Sequence, residues 1–171
     1  HHFAHAAASF YSSPYQEAVI MTHDGFADGA WESGYQSGMF YYGIKNKIYP
    51  IRPHHLNIGG LYDRVGTHLG LGLVGAAGKL MGLASYGKPR FFDAYFVGNE
   101  KDFEEKSVDL FSAWLSHCET QAKVMGYDFS NYRNPEHPLA RINADIAAST
   151  QELFEQIRLK AIEKFSNYLF H

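Results

Sequence analysis

The spacing of apolar residues changes once along this chain, at Asn57, and that change limits the folds open to it. Before Asn57 the apolar segments are short and separated by breakers. The alanine-rich stretch from His2 to Phe10 has good helix propensity and is closed by Ser12-Ser13-Pro14. Ala18-Val19-Ile20-Met21-Thr22 then reads as a short buried strand. The aromatic and glycine residues between Trp31 and Tyr42 suit twisted antiparallel strands, and a turn at Lys45-Asn46-Lys47 leads into Ile48-Tyr49-Pro50-Ile51. Pro50 and Pro53 cannot donate to a central ladder, so this last strand is expected at a sheet edge.

From Asn57 onward the period is helical. Ile58, Leu61, Tyr62, Val65 and Leu69 fall on one face, with Asn57 as N-cap. After Pro89 the pattern predicts a helix from Phe103 to Val124 and a longer one from Leu139 to Phe170, with Asn134-Pro135-Glu136-His137-Pro138 between them. Ile142, Ile146, Leu153, Ile157, Ala161, Phe165 and Leu169 form the stripe of the longer helix. The expectation is an α/β chain: an α/β segment over residues 1–56 and a mainly helical segment over 57–171.

Between the first and second helical stretches lies Leu69-Gly70-Leu71-Gly72-Leu73-Val74-Gly75-Ala76-Ala77-Gly78-Lys79. It reads as a flexible connection whose backbone N–H groups could approach a ligand closely, with Gly78 and Lys79 placed to meet a phosphate. It lacks the closing Lys-Ser/Thr of a P-loop, and an exposed lysine on a solvated turn is the more frequent outcome.

Composition excludes several classes. The 171 residues are 46% hydrophobic, enough for a packed core, which argues against disorder. A net charge of -3 with no basic run gives no footprint for a nucleic-acid backbone. The longest apolar stretch is broken by glycines and too short to span a bilayer, so no membrane partner is expected. A single cysteine, Cys118, permits no intrachain disulfide and points to a reducing, cytoplasmic setting with any metal held by nitrogen and oxygen.

Chemistry-bearing residues gather at the N-terminal end, His1-His2-Phe3-Ala4-His5. His1 and His5 stand at i, i+4 on a predicted helix, close enough to hold one metal ion, and Asp24 follows the predicted strand as an acidic partner. Two other readings fit the spacing: the remnant of a purification tag, against which Phe3 and Ala4 argue, and helix-face histidines with no ligand role. Zinc-protease chemistry would need Glu after the first histidine, and His2 stands there.

The ordered motifs His1-His2-Phe3-Ala4-His5-Ala6, Thr22-His23-Asp24-Gly25, Pro53-His54, Lys79-Leu80-Met81-Gly82-Leu83-Ala84-Ser85-Tyr86-Gly87 and Ala147-Ala148-Ser149-Thr150-Gln151 resemble those of the O-carbamoyltransferases of antibiotic and nodulation-factor biosynthesis. That family is similar to the tRNA threonylcarbamoyl-transfer enzyme. The resemblance implies part of an actin-like, RNase H-like nucleotide-binding fold. It also implies transfer of a carbamoyl group from carbamoyl-adenylate to a hydroxyl of a small-molecule acceptor, the adenylate being made from carbamoyl phosphate and ATP by a separate domain. By matched position, His1, His5 and Asp24 would be ligands of a divalent metal, iron or zinc, that engages the nucleotide. Asp63 would bind the ribose. His2 could bond the carbamoyl oxygen or the incoming hydroxyl, or be a supporting or core histidine. His54, Gly78 and Lys79 would lie toward the cofactor.

Relatives begin with glycine-rich strands before the histidine motif and continue past the helix of Gln151. The chain is therefore expected to be a portion of a longer enzyme, inactive by itself and able to oligomerise. A metal-dependent peptidase-like hydrolase and a non-catalytic nucleotide-binding module of the same fold are the competing readings.

Overall fold

A computed structural model describes residues 1–23, 38–54, 56, 58–98, 107–127 and 140–170. Its elements are α1 (His2–Tyr11), β1 (Glu17–His23), β2 (Gly38–Ile44), β3 (Lys47–His54), α2 (Ile58–His68), α3 (Ala76–Ala84), a 3-10 turn (Ala94–Val97), α4 (Ser107–Val124) and α5 (Arg141–Phe170). The chain is thus mixed α/β, with two compact units. The first comprises residues 1–57, 103–105 and 161–171, and the second comprises 58–102 and 106–160.

In the first unit the three strands form an antiparallel sheet in the order β1-β2-β3. Among the described residues β3 lies at its edge, where Pro50 and Pro53 cost the ladder least. The register pairs Ala18 with Gly43, Ile20 with Tyr41 and Thr22 with Met39, so these residues share one face. Ala6 and Phe10 of α1 pack there with Ile20 and Tyr41. Gly43 makes room for this helix, since a Cβ would come within 2.8 Å of the Phe10 ring. On the opposite face Phe40 stacks on Phe165 at 4.0 Å between ring centroids, and the Arg52 guanidinium lies 5.8 Å from the Phe165 ring.

In the second unit α2 packs on α3 and α4. The predicted stripe Ile58, Leu61, Tyr62, Val65 and Leu69 is buried throughout. Trp114 of α4 is fully buried and donates from its indole nitrogen to the Thr150 hydroxyl on α5 at 3.0 Å. The glycine-rich stretch corrects one expectation. It is a connection only as far as Gly75, because helix α3 starts at Ala76 and takes in Gly78 and Lys79. Gly75 adopts the left-handed conformation at φ 69°, turning the chain into a helix whose Ala76, Leu80 and Leu83 are buried at spacings of four and three.

Three other predicted elements reach beyond the described residues. Trp31 to Ser37 lie outside them, and β2 begins at Gly38; residues 103–106 and Leu139 also lie outside, with α4 and α5 beginning at Ser107 and Arg141. No helix among the described residues is long and apolar enough to cross a membrane.

Candidate functional site

Helix α1 and its N-cap residue sort three histidines by position. His2, Ala6 and Phe10 recur every four residues and are buried, forming the stripe that faces the sheet. His1 and His5 stand one residue before His2 and Ala6 and remain exposed. Their Nε2 atoms are 3.0 Å apart, with ring centroids at 4.5 Å and the rings perpendicular. Two imidazole nitrogens on one tetrahedral zinc at its usual bond lengths would be separated by about 3.3 Å, so the pair fits two corners of a metal site with a few tenths of an ångström of adjustment. The His1 ring also meets His2 edge to face at 5.9 Å.

Asp24, the third expected ligand, lies outside the described residues, directly after the last residue of β1. Among the described residues no group of three or more His, Cys, Asp or Glu side chains converges. Cys118 is buried, and that burial, first among the causes, pushes its thiol far above the ordinary range.

A second histidine grouping sits at the end of the sheet that His23 closes. The ladder places His23, Gly38 and His54 in one row across three strands. Gly38 presents no side chain, and the imidazoles of His23 and His54 stack at 5.6 Å, 11° from parallel. A Cβ on Gly38 would lie 1.9 Å from the Thr22 carbonyl oxygen and 2.5 Å from His54 Nε2. His54 is buried and donates from Nε2 to the Thr22 carbonyl at 2.8 Å. The carbonyl can only accept, so Nδ1 is left to accept the Leu56 N–H at 3.4 Å. Both ring nitrogens thus bond to the chain itself, which ties β3 to β1 beyond the intervening strand.

The remaining expected cofactor residues share the α2–α3 junction. Asp63 Oδ1 accepts the Ala77 N–H at 3.2 Å, and Lys79 Nζ donates to the Leu71 carbonyl at 2.8 Å. Gly78 is exposed on α3, one residue beyond Ala77. The structure therefore groups His1 with His5, and Asp63 with Gly78 and Lys79. It sets His54 in a row with His23.

Sequence reasoning missed Asp145. It is fully buried on α5, accepts the Lys88 N–H at 2.8 Å, and lies 3.4 Å from Arg90 Nε and 3.5 Å from Arg141 Nε. The available signal was a charged residue inside the apolar stripe of α5, beside Ile142 and Ile146. Ser149 and Thr150, noted as part of a motif, work in the same way: Ser149 Oγ accepts the Phe91 N–H and donates to the Asp145 carbonyl, and Thr150 receives the Trp114 indole.

Comparison with known proteins bears on this geometry. The model of the family described as Carbamoyltransferase N-terminus matches residues 1–169. The chain is 30% identical over 167 residues to the uncharacterized protein sll1178 of Synechocystis sp., covering 94% of this chain and 26% of that protein. It is 27% identical over 167 residues to the nodulation protein NolNO of Sinorhizobium fredii, covering 92% of this chain and 21% of that protein. The chain thus spans about a quarter of the length of these curated relatives.

Proposed function

Since this chain belongs to the carbamoyltransferase N-terminus family, we propose that it forms part of a catalytic domain that moves a carbamoyl group from carbamoyl-adenylate to a hydroxyl of a small-molecule acceptor. The observation that carries the reading is the His1–His5 pair, presented at metal-binding separation within the family's matched region. In this proposal the fold belongs to the actin-like, RNase H-like class, and a separate domain makes the adenylate from carbamoyl phosphate and ATP.

His1, His5 and Asp24 would hold one divalent ion, iron or zinc; the paired imidazoles and a carboxylate are a nitrogen and oxygen donor set suited to either. When bound, the cation supplies positive charge that favours the anionic tetrahedral species of acyl-type transfer. The chain's own residues then bind and orient. Burial of His2 in the sheet-facing stripe of α1 supports a positioning role for it, holding the exposed pair in place. Asp63 is proposed to engage the ribose through the carboxylate oxygen not used by Ala77, with Gly78 leaving open space on the same helix end for close approach. His54 contributes by fixing the strand end from which the chain continues to Asp24.

The test uses the full-length protein with carbamoyl-adenylate, iron or zinc, and a panel of hydroxyl compounds, with the carbamoylated product followed by mass spectrometry. Product formation that is lost in His1→Ala and His5→Ala is expected. Metal binding accompanied by peptide hydrolysis and no carbamoylated product would reject the assignment.

A further inference from the structure

The segment from Gly87 to Phe91 is fastened to its surroundings more firmly than an exposed connection requires. The Lys88 N–H is bonded to Asp145 at 2.8 Å and the Phe91 N–H to Ser149 at 3.0 Å, and both acceptor residues are fully buried. His117 donates from Nε2 to the Phe91 carbonyl at 2.9 Å. Gly87 passes so close to α5 that a Cβ would stand 1.9 Å from the Ala144 carbonyl oxygen. A rigid mount of this kind carries Lys88, Pro89 and Arg90, all of them exposed.

The charges on this mount do not balance. Arg90 from the connection and Arg141 from the first turn of α5 both approach Asp145 by Nε, at 3.4 and 3.5 Å, with their side chains 42% and 57% exposed. These separations exceed the roughly 2.7–2.9 Å of a strong charge-assisted bond, so Asp145 gathers the two guanidiniums without saturating their donors. One guanidinium together with the Lys88 N–H would already compensate the buried carboxylate. The second is surplus. It also stands at the positive end of a helix dipole, where a cation is disfavoured and an anion is welcome. Lys88 adds a third cation to a protein whose net charge is -3.

The geometry points to a preorganised binding site for the phosphate group of a small ligand, formed by Arg90 and Arg141 above buried Asp145. Two planar forks beside a helix N-terminus suit a dianion with several oxygens better than a single carboxylate. Because the connection is already fixed by buried partners, little ordering free energy is lost when the ligand arrives. This site is independent of the histidine pair and of the transfer reaction proposed above.

The test titrates the protein with inorganic phosphate and with pyrophosphate at constant ionic strength, following amide shifts of Lys88, Arg90, Phe91 and residues 141–143 by NMR, with acetate and chloride as controls. Saturable shifts are expected for phosphate and tighter ones for pyrophosphate, with affinity weakened about tenfold or more in Arg141→Gln and in Arg90→Gln. Arg141→Lys, which keeps the charge and loses the fork, should fall between. Should Arg90→Gln fail to fold, Arg141→Gln decides the matter, since its exposed side chain leaves the Lys88–Asp145 bond and the Arg90 pair in place. Responses to acetate equal to those to phosphate, affinity unchanged in Arg141→Gln, or preferential binding of a single-stranded oligonucleotide would each overturn the inference.

Discussion

Asp63 on α2 reaches across to α3 and accepts the Ala77 N–H at 3.2 Å. The residue before α3 is Gly75, which has no side chain to cap the helix, so the capping oxygen comes from 14 positions earlier in the chain. A carboxylate there also complements the positive end of the helix. The same residue thus holds the α2–α3 junction together and, in the function proposed above, presents its second oxygen to a ribose.

The two roles separate by substitution. Asp63→Ala should destabilise the fold by about 1 kcal/mol, the usual loss for a missing cap, as measured by urea denaturation. Asp63→Asn keeps an accepting oxygen and should lose only a few tenths of a kcal/mol. In the full-length protein Asp63→Ala should also weaken nucleotide binding. An unchanged nucleotide affinity would leave Asp63 with its capping role alone.

The histidine pair makes a prediction about metal. Zinc added to the protein should be bound at a site that His5→Ala removes, read by competition with a chromophoric chelator. Phe3, exposed and meeting Tyr41 edge to face at 6.1 Å, stands on the same helix outside the pair. Phe3→Ala should leave zinc affinity within about threefold of the original, because no donor atom is removed. Equal losses in both variants would mean that the measured zinc sits elsewhere.

What could be read from the sequence depended on range. The i, i+4 relation of His1 and His5 is set by one turn of helix, and the stripe from Ile58 to Leu69 by the helical period; both are local, and both were visible. The start of α3 was not, because it depends on Asp63 and on the left-handed turn at Gly75, and a glycine-rich string looks the same whether it precedes a helix or a loop. The row His23, Gly38, His54 depends on strand register across positions separated by 15 and 16 residues. Asp145 was hidden for a related reason. A carboxylate within an apolar helix stripe becomes legible only when the backbone N–H and the two arginines that compensate it are known.

Tyr62 supplies a pH dependence. Burial, followed by the nearby negative charge of Glu155, pushes its phenol up to about 12 from an ordinary 10.0. The unfolded chain therefore ionises first. The stabilising contribution is fully present below pH 10 and is lost as pH rises from about 10 to about 12. Tyr62→Phe should remove that part of the alkaline slope, found by comparing urea midpoints across the interval. At neutral pH the same change should cost about 0.5–1.5 kcal/mol for the lost hydrogen bond to Gln151. Parallel slopes in the two proteins would show that the phenol is not held back in the folded state.

Three glycines make contrasting predictions, because added methyl groups would meet different surroundings. At Gly87 a Cβ would stand 1.9 Å from the Ala144 carbonyl oxygen, and the atoms it would meet are all backbone, which cannot swing aside as a side chain could. Gly87→Ala should therefore cost more than about 2 kcal/mol and broaden the NMR signals of residues 88–91, whose bonds to Asp145 and Ser149 rely on that close approach. At Gly78 and Gly82, inside α3, a Cβ would meet nothing within 4 Å. Alanine at either position should stabilise the protein by about 0.5–1 kcal/mol through helix propensity alone. The pair then divides on function. If Gly78 borders the nucleotide as proposed, Gly78→Ala should raise the urea midpoint while weakening nucleotide binding in the full-length protein, whereas Gly82→Ala should raise the midpoint and leave binding unchanged. Stabilisation by both with binding intact would remove Gly78 from the proposed ligand contact, and it would leave the absence of a side chain there unexplained by anything packed against α3.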